Sequence, residues 1–359
     1  MINQESNPMK NKQNKKKTKK IPPKNNPEAP PSELRQDLVT DEWVVIATGR
    51  AKRPDAYIKK DKPELKQSKK DCPFEDPQAS GNAEPLLIYK DKEDWSLQVI
   101  PNKYPALSHL EGCGGISQKG EYLVHEGNGY HEVIITRDHS RHIALMENEE
   151  VSGVVRAYQQ RYKKLKKDKC IKYISIFHNH GPDAGASLPH PHSQLIATPV
   201  LPVSIQRSLR GSGLYWRRNM KCVHCVMIAY ELIDKERVIF ENDDFVAFCP
   251  FVSRAAFEIR IFPKKHNPYF ERMPQRSISK FAEALHASLK SLYETLDNPD
   301  YNFFLHTSPT DGRTYPHYHW HFEIIPKTQI WAGFEISTGI EISTIEPMHA
   351  AEYLRKSLK

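Results

Sequence analysis

His190-Pro191-His192-Ser193-Gln194 and His317-Tyr318-His319-Trp320-His321 decide how this chain folds. Residues two apart in a strand share a face, so His190, His192 and Gln194 point one way while Pro191 and Ser193 point the other. The second stretch sets out His317, His319 and His321 in the same fashion. Three polar side chains on one sheet face are costly in a core and natural in a site. Each stretch follows a strand-like run, Tyr173-Ile174-Ser175-Ile176-Phe177 or Tyr301-Asn302-Phe303-Phe304-Leu305, and a loop. Before each run lies a helical pattern. Val151, Val154, Val155, Tyr158, Tyr162 and Leu165 recur at helical spacing over 149–167, and Ile278, Phe281, Leu285, Leu289, Leu292 and Leu296 over 277–296. Earlier still come Glu132-Val133-Ile134-Ile135-Thr136 leading to His139, and Phe257-Glu258-Ile259-Arg260-Ile261-Phe262 leading to His266. His139 to His190 and His266 to His317 are both 51 residues, which pairs His190 with His317. Each half reads β, α, β, loop, β, so the expected class is α+β: two tandem half-units, each an antiparallel sheet with a packed helix. The expected divisions are a tail over 1–31, a first unit over 32–205 that carries His192, and a second over 206–359.

A chain of 359 residues is long for one ordinary core, which agrees with a unit used twice. With 38% hydrophobic residues it has material for a core, and no run approaches the ~18–20 apolar residues of a membrane span. The net charge of +8 raises the question of a nucleic-acid partner. Most of it sits in the tail, where eight lysines face only Glu5 and Glu28. That tail lacks apolar residues and is expected to be disordered. It has no apolar stretch of signal-peptide type, so a cytoplasmic protein is expected. A nucleic-acid binder needs basic residues interleaved with aromatics on a folded face, so neither a specific nucleic-acid partner nor a membrane is expected. No Gly-x-Gly-x-x-Gly stretch points to a redox cofactor.

Six cysteines are too few for a disulfide scaffold. Cys113, Cys170 and Cys249 stand alone and read as packing residues. Cys222-Val223-His224-Cys225 is different, because a cysteine pair at this spacing with two distant histidines makes a tetrahedral zinc set. The partners are His266 and either His319 or His317. The first half offers Cys72-Pro73-Phe74-Glu75 with His139 and His190, a glutamate replacing the second cysteine. One or two zinc ions per chain are therefore expected.

The loop Asn179-His180-Gly181-Pro182-Asp183-Ala184-Gly185-Ala186-Ser187-Leu188-Pro189 runs directly into His190. Its small residues permit close backbone approach, and Asn179 and Ser187 can donate to phosphate oxygens. A neutral imidazole at His192 can attack phosphorus and split one transfer into two. Gln194 can donate its amide to a non-bridging oxygen as charge develops.

Asn179 to Gln194 resembles the active-site signature of the galactose-1-phosphate uridylyltransferase family, a branch of the histidine-triad superfamily. The resemblance extends to Arg35 through Ile46, Arg50-Ala51-Lys52-Arg53-Pro54, Cys72-Pro73-Phe74, Ile100 through Leu107 and Ala332-Gly333-Phe334-Glu335, spanning about 33–359. It implies two histidine-triad-like half-units, with His192 as nucleophile and Gln194 beside it. It implies metal positions at Cys72, Glu75, His139 and His190, and nucleotide and phosphate contacts from Arg50, Arg53, Asn102, Asn179 and Ser187. Glu335 would read the hexose, although Gln329 stands where the family has a lysine. The second cysteine pair and compact C-terminus look like a short subgroup that includes adenylyltransferases acting on ADP-glucose. The expected reaction is ping-pong exchange between UDP-glucose and galactose 1-phosphate, giving glucose 1-phosphate and UDP-galactose, with an ADP-glucose phosphorylase-type reaction as the alternative. The resemblance also implies a homodimer. A histidine-triad hydrolase would want a third imidazole where Gln194 stands.

Overall fold

The computed structural model describes residues 31–50, 54–58, 65, 67–92 and 94–358, Arg50 by its backbone alone. The expected disordered tail thus lies, apart from Pro31, outside the described residues.

Ten strands form one antiparallel sheet. From one edge inward run Leu87–Asp91, Asp94–Pro101, Tyr130–Thr136, His192–Thr198 and Tyr173–His180. From the other edge run Val238–Glu241, Phe245–Phe248, Ile259–Pro263, His321–Pro326 and Tyr301–His306. The two five-stranded arrays share one order and join where Tyr173–His180 pairs with Tyr301–His306, Asn179 opposite Asn302. The repeat read from the chain is therefore a repeat in space, and the fold is α+β with two histidine-triad-like halves.

Helices Asn148–Leu165 and Ser277–Leu296 lie on one face of the sheet and against each other. The first starts at a capping box, where Glu150 accepts from the Glu147 backbone N–H at 2.8 Å, satisfying a donor that the first turn leaves open. Its buried stripe is the one the spacing predicts, Val151 to Leu165. The second buries Ile278, Phe281, Leu285, Leu289, Leu292 and Leu296. At ~1.5–3 kcal/mol per large apolar side chain, these two stripes dominate the helix–sheet association. Two further helices, Val203–Asn219 and Val223–Asp234, follow the first array, and the division expected at 205 falls inside the first of them. A small sheet of Glu33–Gln36, Trp43–Ile46 and Glu341–Ser343 ties the N-terminal segment to the C-terminal one.

Two expectations are corrected. The equal 51-residue spacings pair His190 with the wrong histidine. Ile135 faces His192, and His190 Nε2 donates to the Thr136 carbonyl at 2.7 Å. In the second half Ile261 faces Phe322, and it is His319 whose Nε2 donates to the Pro263 carbonyl, at 2.9 Å. His319, His321 and Glu323 thus stand where His190, His192 and Gln194 stand. A longer loop before the second strand shifts the row by two residues, and His317 lies instead against Gly213 of helix Val203–Asn219. The second half accordingly lacks the row of three imidazoles. The other correction concerns Cys113 and Cys170, which are joined in a disulfide. They are 57 residues apart in sequence, and only the folding of the segment after Tyr104 back over the end of the first helix brings them together. Cys249 is free and fully buried, as a packing residue should be.

Candidate active site and metal centres

Cys222 caps the helix Val223–Asp234 and Cys225 lies in its first turn, so the x2 spacing turns both sulfurs toward one point. His266 Nδ1 and His319 Nδ1 lie 3.3 and 3.5 Å from Cys225 Sγ. The four ligand atoms of Cys222, Cys225, His266 and His319 fall within 4.8 Å of one another. The Cys222 thiol is pulled well below its ordinary pKa chiefly by hydrogen bonding from Cys225, whose own thiol is pushed up in turn, which favours a metal-ready thiolate at Cys222. In the first half a tight turn, Glu75 N–H to the Cys72 carbonyl at 3.2 Å, brings Cys72 and Glu75 to one side. Cys72 Sγ lies 3.5 Å from His190 Nδ1, and Glu75 Oε1 lies 2.8 Å from His139 Nδ1 and 3.8 Å from His190 Nδ1.

The donors at both points suit zinc. Glu75 Oε1 and His139 Nδ1 are buried without a hydrogen bond, a costly state that a shared cation relieves. Each histidine also donates Nε2–H to a backbone carbonyl: His139 to Gln67 at 3.3 Å, His190 to Thr136, His266 to Pro316 at 2.9 Å and His319 to Pro263. That places every Nδ1 lone pair toward the cluster, the arrangement that orients metal-ligating histidines. A zinc ion at each point would pin a loop to the start of a strand. His317 stays outside the cluster.

His192 opens the strand His192–Thr198 and is buried. Its Nδ1 donates to the His190 carbonyl at 2.9 Å, so Nε2 carries the lone pair. Burial lowers its pKa against the opposing pull of that hydrogen bond, which keeps the ring neutral and nucleophilic. Phe74 packs its ring edge-on at 5.2 Å from His192 and 5.9 Å from His190, limiting rotation of both. On the helix side Ser193 bonds Tyr158 and His178, which anchors the strand from behind. Gln194 lies on the His192 face, its Oε1 2.8 Å from His131 Nε2.

Asn179 lies one residue before the end of the strand Tyr173–His180, and its Oδ1 accepts from Asn302 Nδ2 at 2.8 Å, which leaves the Asn179 amide N–H groups to donate. Asn302 comes from Tyr301–His306, the strand of the other half that pairs with Tyr173–His180. Gly181 has φ +81°, and a Cβ there would meet the Asp300 carboxyl at 2.2 Å, so the loop requires glycine. Ser187 is exposed on the loop. Asn102 accepts the Tyr104 N–H at 2.8 Å, and its amide nitrogen lies 3.1 Å from His131 Nε2. Glu335 sits in the short helix Gly333–Thr338, where its carboxylate accepts the Ala332 N–H at 3.0 Å. Arg53 and the Arg50 side chain lie outside the described residues. Phe74 falls in the Cys72-Pro73-Phe74 stretch that carries the resemblance, whereas His131 and Asn302 have no sequence signal of their own, since each acts through a neighbour reached by tertiary pairing.

The second half carries the same geometry with its chemistry changed. His321 Nδ1 donates to the His319 carbonyl at 3.1 Å, but Glu323 replaces the glutamine and is held by Arg254 and Arg260. Burial works to raise the Glu323 pKa, and the two guanidinium groups override it, keeping the carboxyl well below the usual range. Its stabilising contribution is present above the unfolded-state carboxyl pKa of ~4.3 and is lost as pH falls through the lower folded value. Glu323→Leu is expected to cost ~1.5–3 kcal/mol by removing the carboxylate that half-buried Arg254 and buried Arg260 share, Arg260 keeping Glu258 at 3.0 Å and Asp37 at 3.6 Å, read by urea denaturation at pH 7. A loss under ~1 kcal/mol would show that solvent reaches the guanidinium groups.

A neutral imidazole held by its far nitrogen is equipped to attack phosphorus, and the class that the relatives below support is that of the nucleotidyltransferases. A family profile described as "Galactose-1-phosphate uridyl transferase, N-terminal domain" matches residues 14–202, and a second, "Domain of unknown function (DUF4921)", matches 118–359. The chain is 33% identical to the ADP-glucose phosphorylase of Arabidopsis thaliana, over 90% of this chain and 92% of that protein. It is 28% identical to the galactose-1-phosphate uridylyltransferase of Thermotoga maritima, over 90% and 98%. The crystal structure of the Arabidopsis ADP-glucose phosphorylase with bound ADP-glucose superposes with a TM-score of 0.77 at 32% identity, covering 90% of this chain and 99% of that one. The chain belongs to the galactose-1-phosphate uridylyltransferase family and is an enzyme of that family. Among the described residues no helix is long and apolar enough to cross a membrane.

Proposed function

We propose that the protein transfers a nucleoside monophosphate in two steps through a nucleotidyl-His192 intermediate, taking it from ADP-glucose and passing it to inorganic phosphate. The observation that carries the transfer is His192 itself, neutral, with Nδ1 tied down, Nε2 carrying the lone pair and Gln194 on the same strand face. In the first step the Nε2 lone pair attacks the α-phosphorus, the bond from that phosphorus to the bridging oxygen breaks, and hexose 1-phosphate leaves. In the second an oxygen of the acceptor phosphate attacks the same phosphorus, the P–N bond breaks, and neutral His192 returns. Gln194, Asn179 and Ser187 would donate to the phosphate oxygens, where fixed dipoles contribute most in phosphoryl transfer. Arg50, Arg53 and Asn102 would hold the nucleotide and Glu335 the sugar. Zinc at each of the two clusters would serve as a structural tie.

The likeness to the Arabidopsis ADP-glucose phosphorylase, in sequence and in structure, supports the adenine nucleotide. A second reading, UDP-glucose with galactose 1-phosphate as acceptor, is supported by the Thermotoga enzyme, 98% of which aligns. Incubating the protein separately with ADP-glucose and UDP-glucose, each labelled at the α-phosphate, tests both. Rapid labelling of the protein from ADP-glucose, released by inorganic phosphate, is expected. Labelling from UDP-glucose alone would shift the assignment to uridylyl transfer, and labelling from neither would overturn the function.

A further inference from the structure

We infer that His131 is a positioning residue for this transfer, setting which end of the Gln194 amide faces the reacting phosphate. The inference rests on the reading of His192 as nucleophile and Gln194 as its neighbouring donor. His131 lies on the strand beside the nucleophile strand, two residues before Val133, which is the register partner of Gln194. Its Nδ1 accepts the backbone N–H of Ala106 at 3.1 Å. A backbone N–H can only donate, so the ring proton of neutral His131 sits on Nε2. That Nε2–H donates to Gln194 Oε1 at 2.8 Å; the Asn102 amide nitrogen, 3.1 Å from the same Nε2, is itself a donor and cannot accept this proton. With its oxygen occupied, Gln194 turns its NH2 toward the non-bridging oxygens of a phosphorus held at His192. A flipped amide would offer an oxygen to an anion, converting a stabilising dipole into a repulsive one. The same residue docks the 102–106 segment, since its ring accepts the Ala106 N–H and its backbone carbonyl accepts the Asn102 N–H at 2.8 Å.

The test compares His131→Phe, which fills the space without a donor, and His131→Gln, which keeps one, with Gln194→Ala and the double variant. Single-turnover labelling of the protein and equilibrium binding of the labelled nucleotide sugar are measured for each. His131→Phe is expected to slow labelling by ~10–100-fold while the dissociation constant stays within ~3-fold, and His131→Gln to recover to within ~5-fold of wild type. The double variant should be no slower than Gln194→Ala, because the ring acts through that amide. His131→Leu replaces His131→Phe if melting shows that the latter is unfolded. Wild-type labelling in the donor-free variant, equal losses in the Gln and Phe variants, or multiplying effects would each overturn the role of His131. A wild-type protein that labels from neither donor overturns the assigned function instead.

Discussion

His192→Ala is expected to abolish covalent labelling altogether while leaving the fold intact. Neither neighbouring imidazole is equipped to replace it: His190 points its Nδ1 into the metal cluster and donates its Nε2–H to Thr136, and the ring of His178 bonds Ser193 on the opposite face of the sheet. The adduct on wild-type protein should be labile to acid and stable to base, as a phosphoramidate is. Removing a partly packed imidazole costs at most a few kcal/mol, so the variant should melt within several degrees of wild type. Label at wild-type stoichiometry in a folded His192→Ala protein would show that another side chain is the nucleophile.

Cys222→Ser is expected to remove about one equivalent of zinc and to lower the melting temperature by roughly 10 °C or more. Zinc at a closed structural site contributes folding free energy outright, and removing a thiolate leaves Cys225, His266 and His319 converged on a weakened point. The loss would propagate, because this cluster joins helix Val223–Asp234 to the loop after Ile259–Pro263 and to the start of His321–Pro326. Metal analysis by mass spectrometry and calorimetry check both quantities. Unchanged zinc content would exclude the second-half site. Glu75→Cys gives the opposite sign in the first half. A second thiolate in place of a carboxylate that Arg137 also engages at 3.1 Å should tighten binding, and an unchanged affinity would show that no metal sits there.

How much of this was legible beforehand follows the range of the physical signal. Strand alternation and helical spacing are local, so the Ser277–Leu296 helix appears with the bounds its apolar stripe predicts, and His192 and Gln194 fall on one face as their spacing requires. The order of elements, used twice, determined the doubled α+β architecture. The two-residue gap between Cys222 and Cys225 likewise made them a pair, and the structure sets that pair at the start of a helix. Loop length carries no periodicity, so equal 51-residue spacings matched His190 to His317 when strand register matches it to His319. The disulfide of Cys113 with Cys170, the Asn302 bond that orients Asn179, and the Glu75 carboxylate brought to His139 all join residues far apart in sequence. Alternation determined which side chains face the site. Only strand pairing and loop return in three dimensions decided which partner each one meets, because hydrogen bonds and metal ligation depend on atoms within a few ångströms, whatever their separation along the chain.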